Sequence, residues 1–171
     1  MKLFHFSENP DIKIFNPRTI YDQTDAKVWT IDKYHAPHYY FPRDCPRVCV
    51  WPKEDTKEQD ITRFFGMSQV NRMIAIETDW YDRVRKGSIY RYVFDSADFE
   101  LEEENAGYYV ARRPVMPIDV ERIDDLVTAI LNEGIELRIT PSLMPMIKHV
   151  LESTINFSMI RMRNANRSNR T

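Results

Sequence analysis

Glycine is scarce in this chain, with four residues in 171, at positions 66, 87, 107 and 134. That spacing excludes a GxxxxGK[ST] phosphate loop and a GxGxxG dinucleotide fingerprint, both of which need clustered glycines for close backbone approach. Turns must then come from the ten prolines and from Asp and Asn. There are only two cysteines, Cys45 and Cys49. With no signal-like apolar N-terminus and no apolar run of membrane length, they point to the cytoplasm, where thiols stay reduced. An excess of positive charge is missing too. The formal net charge is −2, which argues against a general polyanion binder and disfavours nucleic acid as a partner. The exception is the run from 161 to 171, RMRNANRSNRT, which holds four Arg and no acid and reads as a basic, solvated tail.

What is present fits one globular α+β domain over residues 1–160. Hydrophobic residues make up 43% and charged residues 29%, so a core can form, and a chain of this size buries roughly 70% of its unfolded surface. Nine Tyr, nine Phe and three Trp are spread along the chain, so most must pack inside.

KLFHFS alternates Leu3 and His5 on one face with Phe4 and Phe6 on the other, and reads as a first strand. AKVWTI is a second. KYHAPHYYF is a short irregular helix interrupted by Pro37. PRVCVWP is a strand, KEDTKEQD a charged loop and ITRFFGMS a short helix or turn. RMIAIE lacks alternation and predicts a strand buried on both faces. DWYDRVRK is a two-turn helix and SIYRYVFD an alternating strand. ADFELEEENAG reads as a loop with a short extended piece, and residues 108–123 as two extended pieces kinked at Pro114–Pro117. Asp124 should open a helix, IELRIT is a strand, Ser142 should open a last helix, and NFSMIRMR reads as an edge strand. Helices this short and unevenly placed fit α+β, with a mainly antiparallel, strongly curved central sheet, better than a doubly wound sheet.

The stretch VWTIDKYHAPHYYFPRDCPRVCVW concentrates the residues that carry chemistry. His35 and His38, with Cys45 and Cys49, are zinc-type donors. Pro37 spoils a shared helical face, and the cysteine spacing is not the C-x2-C of a standard motif, so the expectation is buried thiols, surface histidines and no metal. Arg43 and Arg47 flank Cys45 and could lower a thiol pKa, but nothing pairs a base with it. Arg18, Arg43 and Arg113 flank aromatic segments and are candidate grips for a phosphate or carboxylate.

The order LFHFS, an aromatic strand running into a helix, SIYRYVFD, then YYVARRPVMPIDVERI resembles that of small ADP-ribosyltransferase-like folds. The resemblance implies NAD as candidate substrate. It implies that His5, with Ser7 beside it, clamps the ribose. One of Trp29, Tyr34, Tyr39 and Tyr40 would stack on nicotinamide, and a carboxylate would stand near the developing positive charge. The strand that should open with that acid reads GYYVARR, so Glu103 and Glu104, a few residues earlier, are the nearest candidates. Nearly the whole chain, through LFHFSENPDI, FPRDCPRV, YYVARRPVMPIDVERIDDL, GIELRITPSL and FSMIRMRNA, is also similar to a bacterial family known only as a domain of unknown function. The resulting expectation is a small-molecule, nucleotide-like pocket, either in a diverged ADP-ribosyltransferase-type enzyme or in a non-catalytic binding module.

Overall fold

Strands dominate the computed structural model, which describes residues 1–20 and 24–167. In chain order the strands are β1 (Lys2–Ser7), β2 (Val28–Ile31), β3 (Arg47–Trp51), β4 (Met73–Glu77), β5 (Ile89–Asp95), β6 (Glu100–Glu103), β7 (Tyr108–Ala111), β8 (Asp119–Ile123), β9 (Glu136–Thr140) and β10 (Asn156–Ile160). The helices are α1 (Glu58–Phe65), α2 (Tyr81–Lys86), α3 (Leu126–Asn132) and α4 (Met144–Leu151). The class is α+β, and the strands are shared between two sheets. The chain packs as two units, each built from two separated segments: residues 1–40 with 88–124, and residues 41–87 with 125–171.

The first unit holds the six-stranded sheet, in the order β6-β7-β2-β1-β5-β8, antiparallel throughout. Leu3, Val28, Tyr92, Phe94 and Ala111 share one face and pack beneath Phe15. Phe15 is pinned there by paired backbone hydrogen bonds with Val115, 2.8 and 3.0 Å. Tyr92 is 1% exposed. Its hydroxyl donates to the Asn9 carbonyl at 2.6 Å and accepts from the Ile12 N–H at 3.0 Å, which ties the 9–12 loop to the sheet. A buried phenol needs such partners. The short extended piece expected within residues 97–107 is β6, which pairs with β7 from Glu100 to Glu103 with one irregularity, and a turn over 104–107 closes the hairpin.

In the second unit the order is β10-β3-β4-β9, with β4 and β9 parallel and the other pairs antiparallel. All five residues of β4 are buried, as its unbroken apolar run predicts. Val48, Val50, Phe64, Met73, Leu143 and Val150 form the core on one face. The expected charged loop 53–60 gives up its last three residues to α1. Glu58 and Asp60 occupy the first turn, where acids complement the helix dipole. Asp60 is buried because Thr154 donates to its Oδ2 from both N–H (2.9 Å) and hydroxyl (2.8 Å).

Two helix starts differ by one residue from the sequence expectation. Asp125, not Asp124, caps α3, accepting from the Thr128 N–H at 3.3 Å in a left-handed conformation that Asp tolerates. Asp124 instead pairs with Arg122 at 2.9 Å. Leu143 occupies the cap position of α4, and the Ser142 hydroxyl accepts from the Met144 N–H at 3.3 Å. Residues 161–167, read as tail, include a 3-10 turn at Met162–Asn164. Glu77 holds the next residues in place, accepting from the Asn166 N–H. Residues 168–171 of that tail lie outside the described residues.

Gly107 ends the β6–β7 turn with φ +68°, and an added Cβ would stand 2.5 Å from Asp32 Oδ2 and closer still to His35 Nδ1. Gly107→Ala is therefore expected to cost roughly 2–5 kcal/mol, combining left-handed strain with overpacking. Urea unfolding measures it; a loss below about 0.5 kcal/mol, the range of an ordinary surface substitution, would contradict the contact.

Candidate functional site

Strand β1 is paired along its whole length with β5, at six positions. β2 is likewise paired throughout with β7, at four. Between β1 and β2 the ladder holds one position, Phe4 opposite Ile31. Beyond it the two strands part, and a cleft of about 100 Å³ lies where Phe6 would have met Trp29. Cross-strand neighbours share a sheet face, so Phe4, Phe6, Trp29, Ile31 and Tyr108 lie on the face opposite the Phe15 core. By alternation alone the apolar Phe4 and Phe6 face of β1 suits a core and the mixed face of Leu3, His5 and Ser7 suits a cleft wall. Here the aromatic face carries the cleft, while His5 packs edge-on to Phe15, 4.8 Å between ring centres, and reaches the cleft through the gap in the ladder.

His5 Nδ1–H donates to the Trp29 carbonyl at 2.8 Å. A carbonyl only accepts, so this bond sets the Nδ1–H tautomer and makes Nε2 the acceptor position of the neutral ring. It also satisfies a strand carbonyl beside the interrupted ladder. The walls form a connected aromatic series. Phe6 stacks on Tyr39 (6.0 Å, 11°), the Tyr39 and Tyr108 hydroxyls hydrogen-bond at 2.8 Å, and Tyr108 meets Trp29 edge-on (5.8 Å, 90°). Lys27 sits 5.5 Å from the centre of the Trp29 ring and is paired with Glu102 at 2.6 Å. The Trp29 Nε1–H is buried and meets no acceptor among the described residues. A buried donor left so costs about 1–3 kcal/mol.

Beneath the turn that carries Tyr39, Asp32 accepts from both the His35 N–H and its ring Nδ1–H, each at 2.8 Å. Burial opposes ionisation of Asp32, but the bonds from the His35 ring and backbone outweigh it and hold the carboxyl below its ordinary value.

Of the residues singled out from sequence, His5, Trp29 and Tyr39 come together here. Tyr40 is buried and accepts from Arg91 Nη1 at 3.1 Å, a packing role. Tyr34 is 43% exposed, with its ring against His35. Ser7 lies at the end of β1 and accepts from the Asn9 N–H at 3.1 Å. Arg18 is exposed and bridges by its backbone to Lys27. Arg113 is exposed and paired with Asp98. Arg43 is an exposed residue of the second unit. Glu104 is exposed in the hairpin turn. Glu103 is also exposed, but the fold-back of β6 pairs it directly with Tyr108. Sequence reasoning passed over Phe6, Thr30 and Tyr108. The signal for Tyr108 was the alternation of β7, whose inward members follow Ile31 and Trp29.

The sequence pattern of a family of unknown function (DUF6886) matches residues 4–165. The chain belongs to this family. No curated protein matches it, and no solved structure does. The DUF6886 match spans both units, so the β1–β2 cleft lies within the shared sequence.

The cysteines and histidines of the opening motif are internal. Cys45 and Cys49 are free and buried, and burial pushes both thiols up to about 12. His35 and His38, expected on the surface, are 6% and 3% exposed, with ring centres 5.5 Å apart. Among the described residues no group of three or more His, Cys, Asp or Glu could hold a metal ion, and no helix is long and apolar enough to cross a membrane. The native protein at pH 8 should give no rapid thiol titre with a disulfide reagent, and about two thiols per chain after unfolding in guanidinium. A fast native thiol lost on Cys45→Ser would contradict that burial.

Proposed function

We propose that this protein binds a small molecule by one planar ring with a polar edge, held in the β1–β2 cleft, with nicotinamide as the candidate ring and NAD as the candidate ligand. The observation that carries this reading is the buried Trp29 indole N–H, which meets no acceptor among the described residues, on a residue that also lines the cleft with Tyr39 and Tyr108. A carboxamide oxygen would accept from it once a small turn of the indole opens the N–H to the cleft, and the aromatic walls suit a flat ring. The volume, about 100 Å³, limits the guest. Sites for drug-sized ligands run from about 300 to 1,000 Å³, whereas an apolar cavity of about 150 Å³ takes benzene. One ring enters, and the ribose and phosphates of a dinucleotide stay outside. Among the described residues no carboxylate lines the cleft, which favours binding without turnover. Two buried free thiols fit a reducing cytoplasm as the place of action.

One observation favours a second reading. Glu103 stands opposite Tyr108 across the hairpin, on the sheet face that bears the cleft. In a transferase, the bond from the ribose carbon to the nicotinamide nitrogen would break and nicotinamide would leave as the neutral amide. An acceptor hydroxyl would bond to the ribose carbon and pass its proton to Glu103.

Calorimetric titration separates the two. Nicotinamide and NAD should bind with similar affinity, because the same ring supplies the contact, and AMP should not compete. Trp29→Phe, which keeps a ring but removes the donor, should weaken both about tenfold, the worth of one hydrogen bond. Equal affinity in Trp29→Phe, or competition by AMP, would sink the ring-binding reading. Steady release of nicotinamide from NAD, abolished by Glu103→Gln, would replace it with the transferase.

A further inference from the structure

The second unit has a cleft of its own, of about 400 Å³, lined on its polar side by Arg63, Arg138 and His149 and on its apolar side by Phe64, Pro145 and Met146. Three elements build it. Arg63 lies in the last turn of α1, Arg138 on β9, and Pro145 through His149 on α4. Among the described residues no carboxylate lines it.

Arg138 is fixed in direction. Its Nη2 donates to the Phe64 carbonyl and to Glu136 Oε1, both at 2.9 Å, and its Nε donates to the same carboxylate oxygen at 3.3 Å. These bonds take the Nε hydrogen and both Nη2 hydrogens and leave the two Nη1 hydrogens for a guest. Arg63 is less committed. Its ion pair with Asp60 Oδ1 is loose, at 3.7 Å, while the other oxygen of that carboxylate is taken by Thr154. Arg63 makes no hydrogen bond among the described residues, and its side chain is 41% exposed. Thr140 and Ser142 also line the cleft, but each hydroxyl donates to a carbonyl, of Ser142 (3.3 Å) and Asn166 (3.2 Å) respectively. Donors for a guest therefore come from the two guanidiniums and the His149 ring.

We propose that this cleft binds a small organic phosphate, with the phosphoryl oxygens on Arg63 and Arg138 and the carbon skeleton on Phe64 and Met146. Guanidinium groups match phosphate because each offers a planar fork of N–H donors and keeps its charge. One of the two is already held in place by the protein, which lowers the ordering cost of binding. The apolar wall selects an ester over free phosphate. The volume falls within the range of about 300–1,000 Å³ that small-molecule sites occupy.

The test uses the whole chain and phenyl phosphate, with phenol and inorganic phosphate as the two halves of that molecule, titrated by calorimetry. Phenyl phosphate should saturate with a dissociation constant on the order of 0.1–1 mM, as expected of a small ligand with a few strong contacts. Inorganic phosphate should bind at least about tenfold more weakly, and phenol should not saturate. Arg63→Gln should weaken phenyl phosphate about tenfold or more, the loss that one charge-assisted hydrogen bond implies. It should do so with only a small drop in melting temperature, since Arg63 holds no hydrogen bond in the fold and its ion pair with the buried Asp60 is loose. Arg138→Gln should weaken binding too. Because it also loses the Phe64 contact, Arg63→Gln decides the matter should that variant fail to fold. Absence of saturation by phenyl phosphate, phenol binding as tightly as its ester, or unchanged affinity in Arg63→Gln would each overturn the proposal.

Discussion

The first unit depends on a ladder that stops after one position. β1 is fully paired with β5, and β2 is fully paired with β7, so neither strand can drift. Between them only Phe4 and Ile31 meet. A sheet interrupted in its interior would ordinarily leave strand carbonyls and amides unbonded, at a cost similar to that of lost hydrogen bonds. Here the His5 imidazole serves one of them by donating to the Trp29 carbonyl. The gap is thus held open from both flanks and sealed at one point by a side chain. The aromatic walls follow from it, because the residues that would have paired, Phe6 and Trp29, project to the same face and meet the Tyr39 and Tyr108 rings.

Much of the strand content was legible. Alternation identified β1 and β5, and the unbroken apolar run of β4 marked a strand buried on both faces, as the central position beside β3 and β9 requires. The hairpin of β6 was harder to see. Glu100 to Glu103 are all exposed, and a charged edge strand reads like a solvated loop, although charge on an edge is one way sheets avoid pairing with other chains. The start of α1 was hidden for a related reason: Asp60 looks like a surface residue until Thr154, far along the chain, supplies its hydrogen bonds. The division into two units left no trace in composition. The chain crosses between them at 40–41, 87–88 and 124–125, with no linker of altered character.

The cleft was legible in part. His5 and an aromatic from the stretch 29–40 do meet, and the same stretch supplies Tyr39. Which face of β1 carries the cleft was not legible. Leu3 with His5, and Phe4 with Phe6, are comparable as core candidates, and the choice is made by Phe15, whose loop covers the first pair. Glu103 shows why distance along the sequence misleads. It precedes Tyr108 by five residues, yet the hairpin sets it directly across from that ring. The Arg63 and Arg138 cleft had no sequence signal at all, since its members come from α1, β9 and α4 and carry no motif.

The claim that the interrupted ladder makes a seat for a planar ring rests on one proton, the indole N–H of Trp29. The protein has three tryptophans, so its nitrogen-correlated proton spectrum should carry three indole resonances, of which Trp29→Phe removes and thereby assigns one. Added nicotinamide should move that resonance downfield along a saturable curve and leave those of Trp51 and Trp80, both in the second unit, where they are. A Trp29 indole resonance that stays in place at tens of millimolar nicotinamide, in the range where even weak ring binding saturates, would contradict the account.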